Sequence, residues 1–285
     1  MKPDPRFLYQ PREFWAHVRL LSQAIGYTDR KTKMILVPSA TKIRDAMTRL
    51  GHSWTHLYER DGSPTEFGKL LGDYFAHRAK SLNDFVEPRL MDAERARAEF
   101  ERLRSDLSPS CPLPMNKQKG DKRSHAYLTC IVNMLVESQI GDRSCDYDPR
   151  ELTSFSRGGV PLRTLARRVD GAFPCARNPV AVWEIKEYYY TTTFGSRIAD
   201  GVYETLLDGL ELEEANEHAG VHCHHTLFVD AYHTWWVMGK SYLCRLIDVL
   251  NMGLVSELIF GYEVVERLPA LVEEWIAEID GAPDD

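Results

Sequence analysis

Apolar residues recur at helical spacing through roughly the first 107 positions of the chain. Phe14, Val18, Leu21 and Ile25 line one side of Pro11 to Gly26, where Pro11 suits a first turn and Gly26 a stop. Ile43, Met47 and Leu50 form a second stripe, which Ser39 can cap and Gly51 ends. Thr65 to Leu107 continues as helix with a break predicted at Pro88. Its second half, DAERARAEFERLRSDL, mixes charge signs as a solvated helix does.

The pattern then changes. The segment SPSCPLPMNKQKG, Ser108 to Gly120, concentrates three prolines and two lysines and reads as a linker. It divides a helical domain, residues 1–115, from a second domain, residues 116–285. Ser124 opens a helix through Ile140 with Tyr127, Cys130, Ile131, Met134 and Leu135 on one side, and Glu137 falls on that same side. Leu165 to Phe173 and Val180 to Tyr190 read as two strands joined by a short Cys-Ala-Arg-Asn-Pro connection. Alternation along the second puts Val182, Glu184, Lys186 and Tyr188 on one face and Trp183, Ile185 and Tyr189 on the other. Gly195 to Leu210 follows as an amphipathic helix, with Ile198, Val202, Leu206 and Leu210 inward and Arg197, Asp200, Glu204 and Asp208 outward. His225 to Tyr232 reads as a strand, Lys240 to Met252 as a helix, Glu257 to Val265 as a strand and Leu268 to Ile279 as a helix. This order predicts the α/β (α+β) class, a mixed β-sheet flanked by helices behind an N-terminal, mainly helical domain.

Composition narrows the function classes. With 44% hydrophobic and 27% charged residues, 285 positions suffice for real cores. No apolar leader and no stretch of about 18 apolar residues occurs, so neither secretion nor a membrane span is expected, and the predicted location is cytoplasmic. Six cysteines without a Cys-x-x-Cys pair read as reduced thiols. The net charge of -7 argues against a nucleic-acid partner only until its distribution is read. Glu263 to Asp285 alone holds eight acids and one base, whereas Asp29 to Arg60 holds seven bases and three acids. Lys42, Arg44 and Arg49, outside the apolar stripe of the second helix, and Lys117, Lys119 and Lys122 in and just after the linker are therefore candidates for DNA contact. No GxxxxGK[ST], GxSxG or GxGxxG string supports a P-loop, a serine esterase or a dinucleotide site.

The candidate chemistry lies in Val169 to Tyr190. Magnesium takes oxygen ligands, commonly one or two carboxylates with water and substrate phosphate, and Asp170 and Glu184 can supply those carboxylates. The backbone carbonyl of Ile185 lies between the two functional side chains Glu184 and Lys186 and can complete the set. Lys186 can then contact a scissile phosphate. Two readings of Glu137 stand open: an acid on an apolar stripe that needs a metal or basic partner, or a solvated acid where the helix frays. His218 and His222 have the spacing of a helical zinc pair, but contiguous His222, Cys223, His224 and His225 cannot all face one ion, so a loop entering a strand is preferred.

The arrangement Asp170, thirteen residues, Glu184-Ile185-Lys186 resembles the PD-(D/E)XK nuclease superfamily, to which many type II restriction endonucleases belong. The resemblance covers roughly Ser124 to Val265. It implies a restriction-endonuclease-like mixed sheet carrying Asp170, Glu184 and Lys186 as catalytic residues, with Glu137 as the acid from the preceding helix. It also implies Mg2+ as cofactor, with Mn2+ as a substitute, and double-stranded DNA as substrate. The restriction type further implies a homodimer, one active site per strand. Val169 stands where the family pattern has proline. The TTTFGSR run ending in Arg197 supplies candidate phosphate contacts. A non-catalytic DNA-binding protein of the same fold, or a nuclease for RNA or for branched or damaged DNA, remains the alternative.

Overall fold

Polar caps set where the first helices begin. The computed structural model describes residues 1–116, 124–190 and 195–281. Helix α1 (Arg12–Ile25) follows Pro11, and α2 (Ala40–Arg49) is capped by Ser39, whose hydroxyl accepts from the Lys42 amide. Thr65 caps α3 (Glu66–Lys80) through the Gly68 amide, and Asp92 caps α4 (Ala93–Leu107) through that of Arg95. The long helix expected from Thr65 is interrupted between these two by a π-helical turn, Ser81–Val86, and a 3-10 turn, Glu87–Arg89. Pro88 lies in the second turn, where its missing amide and its ring stop the α-helical ladder. Phe14, Leu21, Met47, Leu71 and Tyr74 close the core of α1 to α3.

The rest of the chain is built on a five-stranded mixed sheet. Helix α5 (Tyr127–Ile140) precedes β1 (Asp146–Tyr147), and a separate hairpin of β2 (Ser154–Arg157) and β3 (Val160–Thr164) comes next. Then follow β4 (Gly171–Phe173), β5 (Ala181–Glu187), α6 (Ser196–Ala219), β6 (His224–Asp230), α7 (Lys240–Asn251), β7 (Glu257–Phe260) and α8 (Glu263–Gly281). The sheet order is β1-β4-β5-β6-β7; β1, β4 and β5 pair antiparallel, whereas β5, β6 and β7 run parallel, joined by crossovers through α6 and α7. One face packs Leu227, Val229, Leu258 and Phe260 under α6 and α7. The other packs Trp183, Phe228 and Ile259 under α4, α5 and α8, with Trp183 stacked on Trp275 at 5.7 Å. Helix α4, which precedes the expected linker, contributes Ala96, Phe100 and Leu103 to this second core. Among the described residues no helix is long and apolar enough to cross a membrane.

Three expectations are corrected. The strand expected over Leu165 to Phe173 is reduced to Gly171–Phe173, because the preceding residues leave the sheet. The strand expected to run to Val265 ends at Phe260, where Gly261 takes φ 50° and turns the chain into α8. The apolar stripe of α6 holds at Ile198 and Val202, with Leu206 partly buried, but toward the C-terminal end it turns: Thr205, Asp208 and Leu212 are buried, while Leu210 is exposed.

At the end of β6, Asp230 is wholly buried and accepts from the amides of Met91 (2.7 Å) and Ala231 (2.8 Å) and from the Tyr189 hydroxyl. Burial pushes its carboxyl up to about 7; Tyr189 and the two amides pull the other way, and neighbouring Glu187 adds to the rise. A carboxyl raised in the folded state stabilises the fold below its unfolded value near 4, and that contribution is lost as pH climbs through about 7. Relative to Asp230→Asn, the wild type is therefore expected to lose up to about 4 kcal/mol between pH 4 and pH 8. Urea unfolding of both proteins across that range measures it, and a difference that does not change with pH would refute it.

Candidate active site

Strand β5 is central in the sheet, so its side chains are covered on both faces. Glu184 is 0% and Lys186 6% exposed. Burying an ion costs several kcal/mol unless it is paired, and here both are. Lys186 Nζ donates to Glu184 Oε2 at 2.8 Å and to Glu204 Oε2, on α6, at 2.7 Å. Arg167 Nη2 donates to Glu184 Oε2 at 3.0 Å, and its Nη1 lies 2.9 Å from Glu184 Oε1 and donates to Asp208 Oδ2, also on α6, at 2.6 Å. The contact to Oε1 is an ion pair without hydrogen-bond alignment, so that buried oxygen has no donor.

Asp170 reaches this group because the sheet forks. Gly171 pairs with Trp183, so continuing the antiparallel register by one residue sets Asp170 opposite Glu184, and the Asp170 amide donates to Trp183 O at 3.1 Å. Beyond that point β4 has no further residue on β5. The Asp170 carboxylate takes the place of the missing strand and accepts from the Ile185 amide at 2.8 Å. In an extended strand the N–H and C=O of one residue project to the same edge, so the Ile185 carbonyl also faces this fork. Only glycine fits before Ala172: a Cβ on Gly171 would lie 2.1 Å from Trp183 Cε2.

The electrostatics follow from the count of charges. Four carboxylates, Asp170, Glu184, Glu204 and Asp208, meet two cations, Arg167 and Lys186, leaving a formal excess of two negative charges. Loss of water where the protein packs around the carboxyl, and then the charge of Glu184, push Asp170 up to about 6, against Lys186, the Ile185 amide and Arg167. Asp170 remains exposed to solvent, and water screens part of this rise. Burial works to raise Glu184, but Lys186 and Arg167 together outweigh it and hold it low. Burial lowers Lys186, yet Glu184 and Asp170 hold it firmly protonated. Asp208 is held above the usual carboxylate range by burial, against Arg167.

A hard divalent cation fits this set. Glu184 Oε1 is a buried anionic oxygen without a donor, Asp170 is open to solvent, and the excess charge matches a dication. Among the described residues no cluster of three or more His, Cys, Asp or Glu side chains is placed to hold a metal by itself. Two carboxylates with a carbonyl suit magnesium, which keeps its waters and meets substrate phosphate, better than zinc, whose protein sites use at least three side chains.

Of the residues singled out by sequence, Asp170, Glu184 and Lys186 are brought together, and Glu137 is not. Helix α5 packs on the sheet face opposite Glu184 and Lys186, and both Glu137 oxygens accept from the Ser110 amide, at 3.2 and 3.1 Å. The carboxylate that α5 does meet is Glu187, one residue past Lys186, which caps the helix by accepting from the Thr129 amide at 2.8 Å. Lys42 is exposed on α2. Arg44 lies over the rings of Trp54 and Tyr58, and Arg49 donates to Ala24 O at 2.8 Å, so both hold the N-terminal helices together. Lys117, Lys119 and Lys122 lie outside the described residues, as do Thr191 to Phe194 and the side chain of Arg197. In the histidine cluster, His224 Nε2 pairs with Glu278 at 2.7 Å and buried His225 Nδ1 bonds Leu254 O at 2.9 Å.

Sequence reasoning missed Arg167, Glu204 and Asp208. The signal was present in the four-residue spacing of Asp200, Glu204 and Asp208, which reads equally well as a solvated face.

Residues 1–85 match the family model described as Domain of unknown function (DUF7690), and residues 91–275 match that described as Domain of unknown function (DUF7687). The two matches meet at the turn around Pro88. No curated protein and no solved structure matches the chain. The second match spans the whole sheet and every residue of the fork, and the chain belongs to the DUF7687 family.

Proposed function

We propose that this chain is a magnesium-dependent endonuclease that hydrolyses phosphodiester bonds of double-stranded DNA, with a PD-(D/E)XK site on a restriction-endonuclease-like fold. The observation that carries the reading is the fork: Asp170 opposite Glu184, with Lys186 on the face of Glu184 and bonded to it at 2.8 Å. Asp170, Glu184 and the Ile185 carbonyl would hold the ion. Magnesium supplies neutralisation of phosphate charge and a lowered pKa for the attacking water. The chain's own part is positioning. Glu184 and Glu204 fix the Lys186 ammonium from two sides, which leaves its third N–H for a phosphate oxygen. Arg167 and Asp208 hold Glu184 in its rotamer from behind. Cutting both strands calls for two such sites, which a homodimer supplies; the restriction role is the reading for such a pair.

One observation favours a second reading, a nuclease fold that binds DNA without cutting. Glu184 is already paired with two cations, Arg167 and Lys186, as a purely structural glutamate would be.

Incubation of the wild type and Asp170→Asn with supercoiled plasmid separates the two. The expected result is nicked or linear product from the wild type with Mg2+ or Mn2+, none with EDTA, and none from Asp170→Asn. Binding without cutting by either protein, over varied DNA and RNA substrates, would leave the second reading in place of the first.

A further inference from the structure

A cavity of about 670 Å³ opens at the carboxyl end of β6, away from the fork. Tyr27, Lys33, Glu87, Tyr232, Trp236 and Lys240 give it its chemistry. The volume is that of a small-molecule site.

The backbone around it is held in unusual conformations. Ala231, buried at the end of β6, has φ 116°, and Lys33 on the opposite wall has φ 61°. An alanine at such an angle costs of order 1–3 kcal/mol and persists only where its surroundings enforce it. Asp230 supplies that enforcement through the Met91 and Ala231 amides. The strained residue leads into a π-helical turn, His233–Met238, a form frequent at functional sites. Its outcome is to turn Tyr232 and Trp236 into the cavity wall. The same turn donates from Thr234 to Tyr188 O and from Trp235 to Lys186 O, so it is anchored on β5 and cannot relax independently.

The side chains select a ligand with a planar ring and an anionic group. Lys240 Nζ lies 4.3 Å from the centroid of the nearly buried Trp236 ring and donates to Lys33 O at 2.7 Å. That fixes the ammonium while leaving two of its three donors for an anion. Lys33 and Lys240 against Glu87 give the cavity a positive balance. The half-buried ring of Tyr232 is available for stacking, whereas the Tyr27 ring is already met by the guanidiniums of Arg78 and Arg245, each 5.7 Å from its centroid. Glu87, on the wall, bonds the Tyr232 hydroxyl only at 3.4 Å and is able to accept from an amino group on the ring.

We infer that this cavity is a nucleotide-binding site, taking the phosphate at Lys240 and the base against Tyr232. The inference does not depend on cleavage by the fork. The nucleotide can come from two sources, a free mononucleotide or an unpaired residue of a nucleic-acid strand. Calorimetric titration of the full chain with adenosine monophosphate, adenosine, inorganic phosphate, and a short oligonucleotide in single- and double-stranded form distinguishes them.

Adenosine monophosphate binding more tightly than either adenosine or phosphate, and weakened by about tenfold or more in both Lys240→Gln and Tyr232→Ala, identifies the free nucleotide. The same loss seen with the single-stranded oligonucleotide and not the duplex identifies the strand. Phosphate binding as tightly as the nucleotide would overturn the assignment, as would unchanged affinities in both variants at unchanged melting temperature. Nucleotide binding by a protein that cuts no DNA would leave this inference standing and remove the nuclease reading alone.

Discussion

On the proposed nuclease reading, Lys186→Gln is expected to slow magnesium-dependent DNA cleavage by about two to three orders of magnitude, the usual cost of removing one positioned electrostatic group from a phosphoryl or acyl transition state. The ammonium is held between Glu184 and Glu204 at 2.8 and 2.7 Å and kept charged by Glu184 and Asp170. Glutamine, one bond shorter, can keep a hydrogen bond to one of these acids but carries no charge to a phosphate. Lys186→Arg retains the charge, yet a planar guanidinium cannot replace a compact ammonium between two carboxylates, so it is expected to recover stability more than rate. Initial rates of plasmid nicking, with circular dichroism melting of each variant, measure both effects. Cleavage by Lys186→Gln at the wild-type rate would remove Lys186 from the chemistry, and a loss of rate matched by a loss of folded protein would make its role structural.

The periodicities of the chain make some of this legible in advance and leave the rest hidden. Alternation along β5 is enough to put Glu184 and Lys186 on one face, since a strand has no other way to direct successive side chains. Whether Asp170 meets them is a matter of register, and that depends on Gly171 passing over Trp183, a contact between residues of two strands. The same limit hid Arg167. Its segment has the apolar content of a strand, but Leu165 packs with Phe155 and Val182 outside the sheet, and the chain swings Arg167 over to α6. In α6 a hydrophobicity pattern assigns acids to solvent, and the rotated helix instead buries Asp208 and exposes Leu210. An aspartate can be buried when an arginine from a distant segment meets it, and that partner does not show in the helix's own sequence. Glu137 illustrates the reverse case. Its place on an apolar stripe was visible, whereas its partner, Ser110, lies in the connection after α4.

Arg78→Ala is expected to cost about 3–5 kcal/mol of stability, the cost of leaving one member of a buried ion pair alone. Arg78 on α3 is 1% exposed, and its Nη1 donates to both oxygens of Asp248 on α7, at 3.0 and 3.2 Å. Its Nη2 reaches Ser22 of α1 at 3.0 Å, and its guanidinium stacks 5.0 Å from the Phe75 centroid. Tyr74 donates to Asp248 from the same helix. These side chains tie the helices α1 and α3 to the helix that packs on β6 and β7. Without Arg78, Asp248 is left in an apolar setting with the Tyr74 hydroxyl as its remaining polar side-chain partner among the described residues. If the pair serves specificity of docking more than stability, then Arg78→Met with Asp248→Leu is expected to be near neutral or more stable than the wild type, because neither ion then has to be desolvated. Urea unfolding of the two single variants and the double variant forms a cycle that isolates the coupling. Single variants as stable as the wild type would show that the pair contributes nothing. A double variant worse than either single would show that the two side chains act through packing, with Arg78 valued for its stack on Phe75.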